Sequence, residues 1–363
     1  MWREIHEQPR AVADTLSQYI HCNRLDQVFI RRVSDWLGSS ERIAIVASGS
    51  SRHAGLVGRT AIEALSGLPT QVEFASEYAP ESARLSTDAA VMVISQSGET
   101  ADTLAALRNA NALGRTTLAV TNVPGSRLAL EALVSTPTRA GIEEAIPATK
   151  SFMTQLVVLQ LIALAVAAAR GVLTPEDLDA SLRSLASMPD ILKAQLMQDT
   201  ALIEASAARC LESSPVVFLG RASHYGLSCE GALKLKESAY VHAEAMPAGE
   251  FKHGPIAMLG GKGSLVILAA HDPADAESVQ RHGMTLQLLE DLRMQGVDIC
   301  AITNDGDTQV ATRSSRCIFV PAVGERLLPL VTTIPLQLLA FHAAIRNGVE
   351  VDRPRHLVKS LTS

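Results

Sequence analysis

The sequence predicts an α/β fold in two similar domains, each a parallel sheet covered by helices on both faces. Short apolar runs rich in β-branched residues alternate with longer helical patterns. Two local patterns also occur twice: the spacing of Gly49–Gly55 returns in Gly220–Gly226, and the tetrapeptides ending at Asn122 and Asn304 are alike. The chain has 363 residues, of which 47% are hydrophobic, so it can build two domains with sizeable cores.

The predicted elements follow one order in both halves. In the first half, strands are predicted over Arg42–Ala47, Gln71–Phe74, Ala90–Ile94 and Thr116–Val120, with helices over Arg52–Leu65 and Ala101–Ala112. In the second half, strands are predicted over Val216–Leu219, Ser264–Ala269, Asp298–Ile302 and Arg316–Val320, with helices over Ser223–Tyr240, Ala276–Met294 and Leu328–Asn347. A helical linker from about Thr174 to Cys210 joins them, and Pro189 interrupts it. The expected boundaries are 1–195 for the N-terminal domain, 196–348 for the C-terminal domain and 349–363 for an extended tail.

Charge and cysteine content exclude several classes of function. The formal net charge is -6 without a basic cluster, which argues against nucleic acid and anionic membrane as partners. The five cysteines are odd in number and contain no CxxC pair, which argues against a disulfide framework or a zinc site. The polar N-terminus carries no signal peptide, so a reducing cytoplasm is expected.

One apolar stretch needs a membrane test. Phe152 to Ala169 is mostly apolar and lies between Lys150 and Arg170. Because it contains Gln155 and other polar residues, and because no second such stretch is expected, a buried core helix is favoured over a transmembrane span.

A polar loop between the predicted strand Ala90–Ile94 and the helix beginning at Ala101 suits phosphate binding. Its sequence is Ser95-Gln96-Ser97-Gly98-Glu99-Thr100. Ligands of open α/β sheets bind at the carboxyl ends of strands, and a helix N-terminus offers unpaired N–H groups and a positive dipole end. The alternative is an ordinary capping turn with Thr100 as N-cap. Ser51 follows the neighbouring strand and has the same two interpretations.

Two acids and a lysine follow helical spacing in the second half. Glu230, Lys234 and Glu237 stand at i, i+4 and i+7, so they share one helix face. A carboxylate beside a cation can act as the base for a proton α to a carbonyl. The alternative interpretation is a surface ladder of ion pairs.

Two further side chains are candidates for sugar chemistry. His253 lies in a turn between Gly249 and Pro255, and an imidazole suits ring opening because its pKa is near neutral. Lys359 in the tail offers an amine to an open-chain carbonyl. The alternatives are a polar turn histidine and an exposed tail lysine.

Together these stretches resemble the sugar isomerase (SIS) domain family, in particular the paired isomerase domains of glucosamine–fructose-6-phosphate aminotransferase. The similar stretches run from end to end: Ser48–Gly55, Ser95–Thr103, Ala148–Phe152, Glu230–Glu237, His242–Ala245, Gly249–Pro255, Ile334–Leu339 and Asp352–Thr362. The resemblance implies two flavodoxin-like doubly wound domains, and a homodimer with shared active sites.

The resemblance also implies roles for individual residues. The sugar phosphate would be held by Ser51, Ser95, Gln96, Ser97 and Thr100. Glu237 would shuttle a proton between C1 and C2, and His253 would open the ring, reaching across from a partner subunit. Lys359 would meet the open-chain sugar, supported by Lys234 and Glu230. Ile146, Ala148 and Val358 would complete the substrate contacts.

Two departures from the family pattern direct the expected reaction. The chain begins at the isomerase domains with Trp2 instead of a glutaminase cysteine, and Ala148 stands where the family usually has serine. The sequence is therefore interpreted as a stand-alone glucosamine-6-phosphate deaminase that needs no metal or other cofactor. The alternatives are a fructosamine-6-phosphate deglycase, a galactosamine-6-phosphate deaminase, a plain aldose–ketose isomerase, and a non-enzymatic phosphosugar sensor.

Overall fold

The computed structural model describes residues 1–81, 89–259 and 263–361. In chain order its helices are α1 (Trp2–His6), α2 (Gln8–Tyr19), α3 (Gln27–Leu37), α4 (Gly49–Ser66), α5 (Ala75–Glu81), α6 (Ala101–Ala112), α7 (Arg127–Glu131), α8 (Lys150–Ala169), α9 (Pro175–Ala186), α10 (Met188–Gln195), α11 (Ala201–Glu212), α12 (Ser223–Ala239), α13 (Ala276–Met294), α14 (Thr308–Ala311) and α15 (Leu328–Arg346). Its strands are β1 (Ile20–His21), β2 (Arg24–Leu25), β3 (Arg42–Ala47), β4 (Thr70–Phe74), β5 (Ala89–Ile94), β6 (Thr117–Thr121), β7 (Val134–Pro137), β8 (Val216–Gly220), β9 (Ala243–Pro247), β10 (Ser264–Leu268), β11 (Asp298–Asn304) and β12 (Arg316–Val320).

Two parallel sheets confirm the predicted fold class. The first has the strand order β4-β3-β5-β6-β7, and the second, followed in the same sense, has the order β9-β8-β10-β11-β12. All of their strand pairs are parallel. Numbered within each sheet, both orders are 2-1-3-4-5, which is the flavodoxin-like order. The chain order reverses between β3 and β5 in one sheet and between β8 and β10 in the other, which is where such folds bind ligands.

The described chain separates into two compact units, one around each sheet. The N-terminal unit comprises Glu7–Glu143, Lys150–Pro189 and Val358–Ser363. The C-terminal unit comprises Met1–His6, Glu144–Thr149 and Asp190–Leu357. The tail thus divides between the units at residue 357, and its last two residues lie outside the described chain.

Each unit has its own core because its central strands are buried along nearly their whole length. In the N-terminal unit Val46, Val91 and Val93 pack with Leu104 and Leu107 of α6. In the C-terminal unit, apolar side chains of β8, β10 and β11 pack with α13. Strands buried on both faces are near-continuous apolar runs, which is why their positions could be predicted.

Two long apolar helices pass the length and composition test for a membrane span. They are Lys150–Ala169, 89% of whose most apolar window is buried in the protein, and Glu325–Arg346, with 83% buried. The prediction of a buried core helix over the first stretch agrees with this burial. The expectation that no second such stretch exists is wrong, because α15 is also long and apolar. Burial of this extent is typical of core helices.

Candidate active site

The predicted phosphate loop begins where two neighbouring strands end side by side. Ala47 of β3 pairs with Ile94 of β5 in parallel register, so Ser48 and Ser95 leave the sheet next to each other. Ser51 lies in the first turn of α4, and its Oγ accepts a hydrogen bond of 3.0 Å from Nε2 of Gln155. The N-terminal unit therefore presents two polar loops at one sheet edge.

The loop is held by hydrogen bonds between its own members. Ser95 Oγ lies 2.9 Å from Thr100 Oγ1 and accepts a hydrogen bond of 3.1 Å from the N–H of Gly98. Thr100 occupies the N-cap position of α6, but its side chain makes no capping hydrogen bond there. The alternative interpretation is therefore right that Thr100 is the N-cap residue, but the Thr100 side chain bonds within the loop instead of capping the helix.

Gly98 is required by this loop for two reasons. Its φ of 67° lies in the left-handed region that other residues rarely adopt. A Cβ at this position would also lie 2.0 Å from Oγ of Ser126, which is far closer than atoms can approach. The backbone of the loop can pass this point only because residue 98 has no side chain.

The one carboxylate of the loop is held by an arginine. Glu99 Oε1 accepts a hydrogen bond of 2.8 Å from the N–H of Arg127, and its Oε2 lies 2.6 Å from Nε of the same residue. These hydrogen bonds hold the pKa of the Glu99 carboxyl below its usual value. The negative charge is thus compensated by Arg127, so it opposes an anion at the loop less than an unpaired carboxylate would.

The tail reaches the same loop within the N-terminal unit. Ser97 Oγ lies 3.1 Å from Ser360 Oγ, and the N–H of Ala101 donates a hydrogen bond of 3.0 Å to the carbonyl of Leu361. Lys359 precedes Ser360 in the tail, and its Nζ lies 2.6 Å from Oε2 of Glu143. The structure therefore places Lys359 next in sequence to a residue that contacts the predicted phosphate loop.

Glu143 is a candidate residue that the sequence analysis missed. Its carboxylate is fully buried and accepts hydrogen bonds from the N–H (3.0 Å) and Oγ (2.6 Å) of Ser151. Burial raises the pKa of this carboxyl, but Lys359 and the Ser151 donors outweigh burial and hold the pKa below its usual value. Next to Glu144 in a polar loop, Glu143 carries no local signal that would distinguish it.

Glu230, Lys234 and Glu237 form a buried cluster in the C-terminal unit. Lys234 Nζ lies 3.4 Å from Oε1 of Glu230 and 2.6 Å from Oε2 of Glu237. The side chains of Lys234 and Glu230 are 0% and 2% exposed, whereas Glu237 is 22% exposed. A surface ladder of ion pairs is therefore excluded. The lysine supports two carboxylates, and only Glu237 presents appreciable surface to a ligand.

The remaining predicted residues occupy loops. Ile146 and Ala148 are partly buried, and the N–H of Ile146 donates a hydrogen bond of 2.9 Å to the carbonyl of Asp352. His253 is exposed at the end of a short 3₁₀ helix, Glu250–His253. Val358 is 61% exposed.

The predicted site residues thus fall into two groups. The N-terminal unit holds the phosphate-loop residues, including the partly buried Gln96, with Ser51, Lys359 and Val358. The C-terminal unit holds the cluster around Lys234 together with Ile146, Ala148 and His253. A sugar site made from both groups remains a prediction.

Comparison with known sequences agrees with the doubled fold. The profile of the SIS domain matches residues 37–165 and 211–346. The chain is 38% identical over 365 residues to glutamine–fructose-6-phosphate aminotransferase of Chlorobaculum tepidum and 40% identical to that of Mycolicibacterium smegmatis. These alignments cover 100% of this chain but 58% and 57% of the relatives, so the chain spans little more than half of their length.

Solved structures share the same architecture. The C-terminal domain of glucosamine–fructose-6-phosphate aminotransferase from Francisella tularensis superposes with a TM-score of 0.90 at 33% identity, covering 98% of this chain and 97% of that chain. Glucosamine-6-phosphate deaminase from Thermotoga maritima superposes with a TM-score of 0.73 at 21% identity, covering 99% and 98%. The second likeness, at its low identity, concerns the fold alone.

Proposed function

Because this chain belongs to the SIS domain family, we propose that it is a phosphosugar isomerase that deaminates glucosamine 6-phosphate to fructose 6-phosphate and ammonia. The observation that carries the proposal is the cluster in α12, in which a fully buried lysine lies against the partly exposed carboxylate of Glu237. A carboxylate beside a cation can act as the base for a proton α to a carbonyl.

The phosphate group of the substrate binds at the polar loop after β5. Hydroxyl groups of Ser95, Ser97 and Thr100 donate hydrogen bonds, and the N-terminus of α6 adds its positive dipole end. Ser51 and Gln96 complete this set. Support comes from the ordering of the loop, whose own carboxylate already pairs with Arg127.

The proton transfer runs between two neighbouring carbons of the open-chain sugar. Glu237 removes the proton from C2, which gives an enolamine, and returns a proton to C1. The product is a ketimine at C2. Water adds to that carbon and ammonia leaves, which yields fructose 6-phosphate. Lys234 and Lys359 stabilise the negative charge that develops on the oxygen at C1.

Ring opening precedes this transfer and is assigned to His253. The exposed position of His253 on its own unit agrees with a role toward a partner subunit in a homodimer. An imidazole can act as a general acid or a general base in such a step. The sugar is lined by Ile146, Ala148 and Val358. Glu230 forms the second ion pair with Lys234.

Deamination is preferred over amination on chemical grounds. The groups described here and water suffice to remove the amine, whereas amination of fructose 6-phosphate requires ammonia as a second reactant. A second candidate is a reaction on a sugar–amine conjugate, such as a fructosamine 6-phosphate. Ala148 favours it, because a methyl side chain leaves more room at the sugar than the serine usual in the family.

Ammonia release tests the proposal directly. The purified chain is assayed with glucosamine 6-phosphate, galactosamine 6-phosphate and fructosamine 6-phosphates. We expect release from glucosamine 6-phosphate, and release only from the fructosamine compounds would favour the second candidate. No ammonia from any substrate, with phosphosugar binding intact, would overturn the enzymatic proposal and favour a sensor.

Glu237→Gln tests the base. The variant should lose turnover but retain phosphosugar binding, because its amide keeps the shape of the side chain without the charge. Glu212→Gln is the matched control, since Glu212 is an exposed carboxylate at the end of α11. Full activity of Glu237→Gln would remove Glu237 as the base.

A further inference from the structure

Three side chains of metal-ligating type meet at the carboxyl edge of the C-terminal sheet. Leu268 of β10 pairs with Ile302 of β11, so the segments that follow these strands leave the sheet together. His271 lies in the first segment and Asp307 in the second, and His282 faces them from α13. One ligand atom from each of the three lies within 4.8 Å of the others.

The hydrogen bonding of His282 leaves one nitrogen facing an acid. Nδ1 lies 3.2 Å from the carbonyl oxygen of Ala269, which can only accept, so Nδ1 carries the proton. In the neutral ring Nε2 then carries the lone pair, and Asp307 Oδ2 lies 3.5 Å from it. Both side chains are more than nine-tenths buried, and Nε2 has no hydrogen-bond partner in the described part of the chain. The neutral ring and the carboxylate thus place two acceptors face to face in a buried site, an arrangement that a metal cation between them would satisfy.

His271 adds a third donor atom near the same oxygen. Its Nδ1 lies 4.0 Å from Asp307 Oδ2 and, among the described residues, is likewise buried without a hydrogen-bond partner. The His271 and His282 rings are stacked with centroids 3.7 Å apart. A nitrogen coordinates in the plane of its ring, so binding one ion requires His271 to turn out of the stack. Its side chain is 20% exposed, which leaves room for that rotation.

The carboxylate of Asp307 is oriented by outer hydrogen bonds. Oδ2 accepts one of 2.7 Å from Thr303 Oγ1, and Oδ1 accepts one of 3.1 Å from the N–H of Val310 at the start of α14. The Ala269 carbonyl plays the same part for His282. Outer contacts of this kind fix ligand orientation in metal sites and strengthen the binding of the ion.

We propose that His271, His282 and Asp307 bind a divalent transition metal ion of the Zn²⁺ class. Two imidazoles and one carboxylate are ligands that zinc accepts, with bonds of about 2.0–2.2 Å. Neighbouring ligands on a tetrahedral ion lie roughly 3.4 Å apart at that bond length. The 3.5 Å between His282 Nε2 and Asp307 Oδ2 is close to this value, and the rotation of His271 must also shorten the 4.0 Å between its Nδ1 and Asp307 Oδ2. The ion would join the segments after β10 and β11 to α13.

This site was not expected from the sequence. Its ligands are separated by ten or more residues, and only the fold brings them together. The cysteine-based reasoning that argued against zinc does not apply to a site made of histidine and aspartate.

Metal binding is tested on the full chain after treatment with a chelator. Zn²⁺ is added in competition with a chromogenic chelator, and thermal unfolding is followed with and without Zn²⁺. We expect one ion per chain and a rise in Tm, because an ion that binds only the folded state stabilises it. Co²⁺ should give the visible absorption bands of a low-coordinate site with nitrogen ligands.

Two variants assign the ligands. His282→Gln and Asp307→Asn should each weaken Zn²⁺ binding by at least about 100-fold, since a direct ligand contributes no less than the outer contacts, whose loss costs about 10- to 100-fold. Asp307→Asn keeps an oxygen for the N–H of Val310, so it should remain folded. His242→Gln is the control, because His242 is an exposed histidine of the same unit.

The proposal is overturned by either of two results. In the first, the wild-type chain does not compete with the chelator for any Zn²⁺. Alternatively, folded Asp307→Asn retains the affinity for Zn²⁺ and the Tm rise of the wild-type chain. Both measurements are independent of ammonia release, so failure of the deaminase proposal leaves this one unaffected.

Discussion

Lys359 Nζ lies 2.6 Å from Oε2 of Glu143, a carboxylate that is 0% exposed. The lysine itself is 27% exposed, so the pair joins a buried anion to a cation that solvent and ligand can reach. Ser151 holds the same carboxylate through two further hydrogen bonds. The position of the tail amine is thus fixed from inside the N-terminal unit, and Glu143 acts as a positioning residue for Lys359.

Replacing Glu143 with glutamine should release the tail. We expect kcat/KM for the phosphosugar to fall by at least about tenfold, equivalent to about 1.4 kcal/mol, because Lys359 loses its charged partner. Cleavage by trypsin after Lys359 should also become faster. Glu144→Gln is the matched control, since Glu144 pairs only at the surface with Arg3. Equal kinetics and equal cleavage in both variants would contradict the positioning role.

Lys234 is expected to stabilise the fold as well as the base. Lys234→Met leaves the carboxylates of Glu230 and Glu237 without their shared cation in a buried site. Breaking such a pair costs about 3–5 kcal/mol, measured as a lower free energy of unfolding in urea. Lys236→Met on the same helix is exposed and should change stability by less than about 0.5 kcal/mol. The idea fails if the two variants unfold at the same urea concentration.

The central strands could be predicted because burial on both faces leaves a continuous apolar run. The predicted bounds of β3, α6, α13 and β12 agree with the structure. The edge strands β7 and β9 were not predicted. Edge position alone does not explain this, because the other two edge strands, β4 and β12, were predicted. The sequences of β7 and β9, VSTP and AEAMP, each contain a proline and lack the continuous apolar run that indicates a strand.

The candidate site contains residues that are close together in the sequence and residues that are far apart, and only the former could be grouped from the sequence. Glu230, Lys234 and Glu237 could be placed on one face because helical spacing is a local property. The pairing of Glu143 with Lys359 spans 216 positions in the chain. No periodicity connects residues so far apart, so only the folded unit shows that the tail lysine has a buried partner.

Gly98→Ala should disrupt the phosphate loop. A methyl group at residue 98 would lie against Ser126 and would also strain a backbone with φ of 67°. We expect a loss of about 1–3 kcal/mol in the free energy of unfolding and at least tenfold weaker binding of the phosphosugar, measured by calorimetry. Gly125→Ala is the control, because a Cβ there has no neighbour within 4 Å. Unchanged binding in Gly98→Ala would show that the loop does not hold the phosphate.

His224 in the first turn of α12 should make stability depend on pH. Burial, with a smaller contribution from the charge of Arg281, lowers the pKa of this histidine to about 4. Between the folded value and the ordinary value near 6.5, the unfolded chain binds more protons than the folded chain, so stability falls as pH falls. From pH 7 to pH 5 this histidine alone should reduce the free energy of unfolding by about 2 kcal/mol.

Urea unfolding of the wild-type chain and of His224→Gln at pH 7, 6 and 5 isolates this effect. All other titrating groups are common to both proteins, so their contributions cancel in the difference between the two free energies. The free energy of unfolding of the wild-type chain minus that of His224→Gln should fall by about 2 kcal/mol from pH 7 to pH 5. Parallel curves would mean that His224 takes up a proton in the folded state as readily as in the unfolded chain.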